Sequence, residues 1–306
     1  MTAFETLTTS VIDSRASAPR GYDRIRDRVR RGGAAWGVGP SVGLAMVATV
    51  VLFTLCYPLL PGYDPFAQDL GDSMLPPGSV GHWLGTDALG RDTASRLALG
   101  GRITLAIVLG IIVVNAIVGI VVGMLAGYHG GRVDNALMAL ADVQLALPVV
   151  LVLIALAAVF GPSVLLMVVV LAATYWVGYA RVARSVALGL AGRDFVLAPR
   201  IQGASSAWVL RRHVLPNVVS QVLIIATTDL GAMILVTASF DYLGLGIQAP
   251  VPSWGSLIGD GQAYLRQAPH LVLVPGACMV LMVAGTNLLS RRFTHESTPR
   301  RRKARS

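Results

Sequence analysis

Charge is scarce in this chain. Of its 306 residues only 13% are Asp, Glu, Lys or Arg, against 54% hydrophobic, and the mean hydropathy is +0.66. A water-soluble domain carries roughly 25% charged residues, so too few are present to coat a water-exposed fold of this size. That excludes a soluble protein and leaves a chain whose solvent is mostly lipid. Lysine is rarer still, with Lys303 the only one. A Walker A loop needs a lysine behind its glycines to reach the phosphates. Lys303 instead lies in an arginine-rich tail after Pro299, so the chain carries no ATP-binding loop of that type. The two cysteines, Cys56 and Cys278, lie inside apolar runs, which argues against a disulfide framework. The histidines at 82, 129, 213, 270 and 295 are scattered without metal-ligand spacing. No Ser/His/Asp order and no glycine-flanked nucleophile is found, so no enzyme site is expected.

Long apolar runs are what the chain has instead. A membrane-crossing helix needs roughly 20 mostly apolar residues, and six stretches qualify: Ser41–Leu60, Ile103–Ala126, Ala139–Phe160, Val164–Val182, Val218–Phe240 and Leu271–Leu289. Gly161-Pro162-Ser163 reads as a tight turn between the third and fourth. The expected fold class is an all-α integral membrane protein with six transmembrane helices. Its divisions are a basic segment 1–40, a membrane domain 41–290 and a basic tail 291–306. Residues 1–40 are polar and arginine-rich, with no short apolar segment ahead of them, so the first span is expected to stay as an anchor.

The basic residues set the orientation. Twenty-one of the 25 fall before the first span, in the 2–3 and 4–5 loops, or in the tail, while only Arg91, Arg96, Arg102 and Arg266 fall on the other side. Basic residues accumulate on the cytoplasmic side, so both termini are expected there. The run Tyr22–Arg31 has Ile25 and Val29 four apart, which suits contact with anionic lipid better than nucleic acid.

Two extracytoplasmic segments are then long, 61–101 and 241–270. In the first, Asp87 and Asp92 flank Arg91. A catalytic carboxylate pair is conceivable there, and the spacing favours an ion-pair network that braces the loop. Inside the fifth span stands Asp229, where an unpaired carboxylate costs roughly 2.5–3.5 kcal/mol. It either lines a pathway through the membrane or is a structural carboxyl, protonated or hydrogen-bonded with the help of Thr227, Thr228 or a partner helix, and the two readings stand level. Asn115 and Asn287 are expected to bond between helices, with Asn115 also a possible pathway group.

The cytoplasmic loop 184–217 is the most informative segment. From Gly192 to Asn217 it suggests one short helix ended by Gly203 and a second from Ser206 to a break at Leu215-Pro216. Two short helices around a glycine make a docking shape for a peripheral partner.

At this point the chain resembles a known family. GASSAWVLRRHVLPN, with Gly203 thirteen residues before Pro216, is similar to the EAA loop of bacterial ABC-importer permeases. HWLGTDALGRDTASRLALGGR (His82–Arg102), GYHGGRVDNALMALADVQLALP (Gly127–Pro148) and DYLGLGIQAPVPSWGSLI (Asp241–Ile258) resemble blocks of the C-type subunit of dipeptide, oligopeptide and nickel importers. The resemblance covers roughly residues 40–290. It implies the type I importer permease fold in a bacterial inner membrane and a non-catalytic subunit that binds no cofactor itself. ATP and Mg would be held by two cytoplasmic ATPases; a homologous second permease and an extracytoplasmic substrate-binding protein would complete the importer. Carried over by position, the ATPase-coupling residues are Asp194, Phe195, Val196, Leu197, Ala198, Pro199 and Arg200, with Gly203, Ala204 and Ser205 in the turn. Two departures matter. Leu197 stands at the family's glutamate and Pro199 at its second alanine, so the helix is expected either to start nearer Ala198 or to kink. Peptides are the expected cargo, with nickel chelates, heme or another small solute as alternatives. A self-sufficient secondary transporter fits less well, since no internal repeat is visible.

Overall fold

A computed structural model describes residues 38–296. The basic N-terminal run and the arginine-rich tail beyond residue 296 lie outside the described residues. Apart from two isolated bridges in the 57–92 loop, the regular elements are helices. In chain order they are α1 (Val38–Cys56), α2 (Thr93–His129), α3 (Gly131–Leu145), α4 (Val149–Phe160) and α5 (Val164–Ala191). There follow α6 (Asp194–Ile201), α7 (Ser206–Val209), α8 (Leu215–Tyr242), α9 (Trp254–Gln262) and α10 (His270–Glu296). Among the described residues, five stretches are long and apolar enough to cross a membrane: Val38–Leu59, α2, α5, the continuous run Ser206–Tyr242, and His270–Arg292.

The third expected span, Ala139–Phe160, is not one helix. α3 and α4 meet at 74°. Pro148, at φ −64 and ψ 116, supplies no N–H and pushes Leu147 out of helical geometry. Hydropathy alone reads the run as continuous because the break lies inside apolar sequence. Taken together as one broken crossing, the pair would bring the number to six. The break expected at Leu215-Pro216 is absent as well. Leu210–Val214 forms a π-helical turn, with the Leu215 N–H reaching back five residues to the Leu210 carbonyl. That wider turn absorbs the proline, which then sits in the first turn of α8 where its missing N–H is tolerated. α7, the π turn and α8 therefore run on as one long helix.

α2 and α5 form the central seam. Gly119, Gly123 and Gly127 lie four residues apart on α2. A methyl group at each would fall 2.2–2.5 Å from Tyr179 Cβ, the Ala180 carbonyl and the Arg184 carbonyl in turn. The register advances in the same direction on both helices, so they are parallel, and residues 130–163 return along the bundle between them. Small residues at this spacing let two backbones approach closely, which is how helices associate where lipid gives no hydrophobic drive. α3 is tied to α5 by the two-pronged Arg184–Asp134 pair, with Nη2 at 2.6 Å from Oδ2, and by Arg181–Asp142 at 2.8 Å. Gly43 of α1 packs against Gly285 of α10, so the start of one lies beside the end of the other.

Among the described residues three apolar clusters form, the smallest around Ala141, Trp176, Val177 and Ala180, and the other two position the sites. One, around Ile111, Leu153, Leu171, Ile234 and Trp254, serves the end of the bundle that carries the 57–92 and 243–269 loops. The other, around Tyr128, Tyr179, Val196, Val209, Val214 and Val218, serves the end that carries α6 and α7.

Candidate functional site

The candidate site is the α6–turn–α7 corner. α6 opens at Asp194, with the Arg193 carbonyl accepting from the N–H groups of Val196 (2.9 Å) and Leu197 (3.0 Å). The first of the two expected alternatives, a start near Ala198, is therefore excluded: the helix runs through Pro199 and ends two residues beyond it. Proline removes the N–H that would have paired with the Phe195 carbonyl, and at the last turn of so short a helix the loss is small. Eight residues do not hold a helix by themselves; α6 stays because Val196, fully buried, is seated in the second core. Leu197 and Pro199 are half-buried, while Asp194, Phe195, Ala198, Arg200 and Ile201 face outward.

The turn is built to stop the helix. Gly203 has φ +90, a left-handed conformation that side chains resist, and its N–H reaches the Arg200 carbonyl at 3.0 Å. Half-buried Ala204 donates to the Pro199 carbonyl at 2.9 Å and packs on the second core. Ser205 then caps α7, its hydroxyl accepting from the Trp208 N–H at 3.3 Å. The Arg200 guanidinium lies 5.2 Å from the centre of the Tyr128 ring, tying α6 to the end of α2 through a cation–π contact. His213 stands between Phe195 and Trp208, with ring centres at 6.1 and 5.3 Å. The outer surface so formed shows three half- to fully exposed apolar side chains, Phe195, Trp208 and Ile201, beside a 370 Å³ hollow lined by Trp208, Arg211 and Arg212. Such a surface is suited to docking. His213, Trp208 and the arginine pair were not singled out from sequence; their roles depend on the π turn, which places them on one face.

Mid-bundle, Asp229 is half-buried on α8, within electrostatic reach of the Tyr175 and Tyr179 phenols, which lie one turn apart on α5. Thr227 and Thr228, its expected partners, bond back to the Leu223 and Ile224 carbonyls instead. Asn115 is fully buried, and neither of its amide atoms has a hydrogen-bond partner among the described residues. Asn287 is exposed. Among the described residues, the interhelical bonds expected of the two asparagines are thus not formed.

At the other end of the bundle, Asp87 and Asp92 brace the loop, as their spacing with Arg91 favoured. Asp87 Oδ1 accepts from the N–H groups of Leu89 (2.9 Å) and Arg91 (3.0 Å), and its Oδ2 from Arg91 Nε at 2.7 Å. Asp92 caps α2 by accepting from the Ser95 N–H at 2.7 Å and pairs with His82 Nδ1 at 3.0 Å. Every carboxylate oxygen in the pair is engaged in holding backbone or a neighbour. Gly90, at φ +71, passes so close to Asp69 that no other residue fits. Earlier in the same loop, the N–H groups of Phe66 and Ala67 hold the Asp64 carboxyl below the usual carboxylate range. The 243–269 segment docks beside the start of α2 through Trp254, whose indole N–H donates to the Leu97 carbonyl at 3.2 Å. Asp241 is equally structural, accepting from the Ile247 N–H at 2.8 Å. Buried Arg96, which sequence reading counted only as one basic residue of a loop, lies between the Asp87 loop and α9.

Comparison with known proteins gives the frame for these features. Residues 119–303 match the family described as binding-protein-dependent transport system inner membrane component. The nickel transport system permease protein NikC of Escherichia coli K12 is 36% identical over 254 residues, covering 83% of this chain and 91% of that protein. The dipeptide transport system permease protein DppC of Alkalihalophilus pseudofirmus is 33% identical, covering 81% of each chain. The oligopeptide transport system permease protein OppC of Bacillus subtilis 168 is 31% identical, covering 86% of each.

Proposed function

The chain belongs to the binding-protein-dependent transport system inner membrane components, in the dipeptide, oligopeptide and nickel group of ABC-importer permeases, and from that premise we propose that it forms half of a di- and oligopeptide pathway. Its role as an inner-membrane importer permease follows from the family. The cargo is the proposal, since the relatives carry names for nickel, dipeptides and oligopeptides alike.

The observation that carries the mechanism is α6, a short helix seated by Val196 and open on its outer face. In the proposed assembly a homologous second permease completes the pathway, an extracytoplasmic binding protein delivers cargo, and two cytoplasmic ATPases dock on this corner and its counterpart. Both termini face the cytoplasm and the chain crosses six times, α3 and α4 making the broken crossing; the arginine distribution supports that orientation. Residues Asp194–Arg200 with the Gly203–Ser205 turn take the push of ATPase closure. Arg200 on Tyr128 and Val196 in the second core pass it to α2 and α5, which move as one body along their glycine seam. Leu197 replaces the family's carboxylate, so ATPase contact relies on Phe195, Ile201 and Trp208 and on the cationic Arg211–Arg212 rim. ATP hydrolysis belongs to the partners.

A mild-detergent pull-down of the tagged chain from its own membranes, with partners identified by mass, tests this. Co-recovery of a second permease and ATPases is expected; a chain recovered alone that conducts solute would overturn the reading. Asp229 is proposed to face the pathway, with Asn115 joining it only when the bundle opens. Asp229→Asn is then expected to shift the uptake ratio of lysine-containing to neutral dipeptides roughly fivefold, the worth of about 1 kcal/mol for one charge contact in a watery path. An unchanged ratio would make Asp229 structural.

A further inference from the structure

Arg96 is 3% exposed, yet its Nε and Nη1 have no hydrogen-bond partner among the described residues. Two carboxylates stand near without satisfying it. Asp87 Oδ2 is 3.4 Å from Nε but is already taken by Arg91 Nε. Asp260 Oδ2, on a side chain left mostly exposed, is 3.8 Å from Nη2. A buried guanidinium with unmet donors is costly, and a carboxylate, which it can grip with two parallel hydrogen bonds, is the group that best relieves it. Arg96 also stands where two cavities meet. An open chamber of about 810 Å³ and an inner pocket of about 50 Å³ share Arg91, Arg96, Asp260 and Tyr264 in their walls. The inner pocket is closed by Leu257, Leu271 and Pro275, an apolar wall.

We propose that this chamber is a binding site for a small carboxylate, gripped by Arg96, with the carboxylate's apolar substituent against Leu257, Leu271 and Pro275. Asp260 is the loose counter-ion that the incoming carboxylate displaces. The charged lining of the two cavities is Arg91 and Arg96 against Asp87, Asp241 and Asp260. Asp241 is held by the Ile247 N–H and Asp87 by Arg91, so displacement of exposed Asp260 toward solvent is what leaves Arg96 open to the ligand. The site stands apart from the cargo reading, because it takes a carboxylate whether or not the importer carries peptides.

The test is saturation-transfer NMR on the full chain in nanodiscs, titrating butyrate against its neutral isostere butyramide. Saturable binding of butyrate, with butyramide weaker by about tenfold or more, is expected. Arg96→Lys keeps the charge and loses the planar fork, and should weaken butyrate by about tenfold. Asp260→Asn, at an exposed position, should tighten butyrate roughly threefold by removing the competing carboxylate. Equal binding of acid and amide, no binding of either, or weakening by Asp260→Asn would each overturn the proposal. Adding dialanine and its amide as competitors separates this from the cargo reading. Displacement of butyrate by dialanine alone brings peptide C-termini into the site, and butyrate binding without that displacement leaves the carboxylate site standing while the peptide reading is judged by uptake.

Discussion

Val196→Asp abolishes ATP-driven uptake while the chain remains in the membrane at its normal level. Val196 is fully buried, packed in the core formed by Tyr128, Tyr179, Val209, Val214 and Val218. A carboxylate there has no partner, and an uncompensated buried charge costs about 3–5 kcal/mol. An eight-residue helix has no stability of its own to set against that cost, so α6 leaves its seat. At ~1.4 kcal/mol per factor of ten, the ratio of seated to unseated α6 falls by roughly two to four orders of magnitude. The long helices do not depend on α6 for insertion, and so the defect is confined to coupling. Labelled dipeptide uptake in cells holding all partner subunits, beside an immunoblot of the membrane fraction, measures both halves. Val196→Leu, which keeps an apolar side chain in the seat, should retain most uptake. Normal uptake by Val196→Asp would show that α6 need not be seated for coupling.

The second large effect is on stability. Trp254→Ala removes the largest fully buried side chain, together with the hydrogen bond from its indole to the Leu97 carbonyl. Its ring fills the space beside Gly101, where a methyl group would come within 2.8 Å of Trp254 Cζ2, so no neighbour can move in without backbone shifts. Emptying such a site costs about 3–5 kcal/mol, a fall in Tm of roughly 6–20 °C. Trp83→Ala, by contrast, touches a residue 72% exposed and should leave Tm within a degree or two. Thermal unfolding of the two variants in the same nanodiscs decides it. Equal Tm values would mean that the 243–269 segment is not docked on α2 through Trp254.

The membrane helices were legible because an apolar run needs no knowledge of its surroundings. α2, α5, α8 and α10 lie where the hydropathy placed spans, each longer than the run that announced it. What failed was proline. Pro148 broke a helix that hydropathy drew straight, and Pro216 failed to break one, because five residues of π geometry opened room ahead of it. Neither outcome is written in the local residue types; each depends on what the backbone on either side does. The α6–turn–α7 corner was legible through Gly203, whose φ of +90 favours glycine. Its start at Asp194 was legible too, through the carried-over motif, but its seating was not, because Val196 anchors α6 to valines in α7, the π turn and α8 that the sequence does not mark as neighbours. Asp87 and Asp92 were readable as a brace from spacing with Arg91. Arg96 was not readable at all: its loose counter-ion, Asp260, lies in α9, a distant part of the chain.

The α2–α5 seam bears on how the protein is made. The two helices are parallel and lock through Gly119, Gly123 and Gly127, but the whole of α3 and α4 is synthesised between them. When α2 enters the bilayer its glycine face has nothing to meet. It must wait there, flat and unfilled, until Val164 and the twenty or so residues after it have left the ribosome. A nascent chain halted near Phe160 therefore carries α2 with the glycine face that α5 will cover still open.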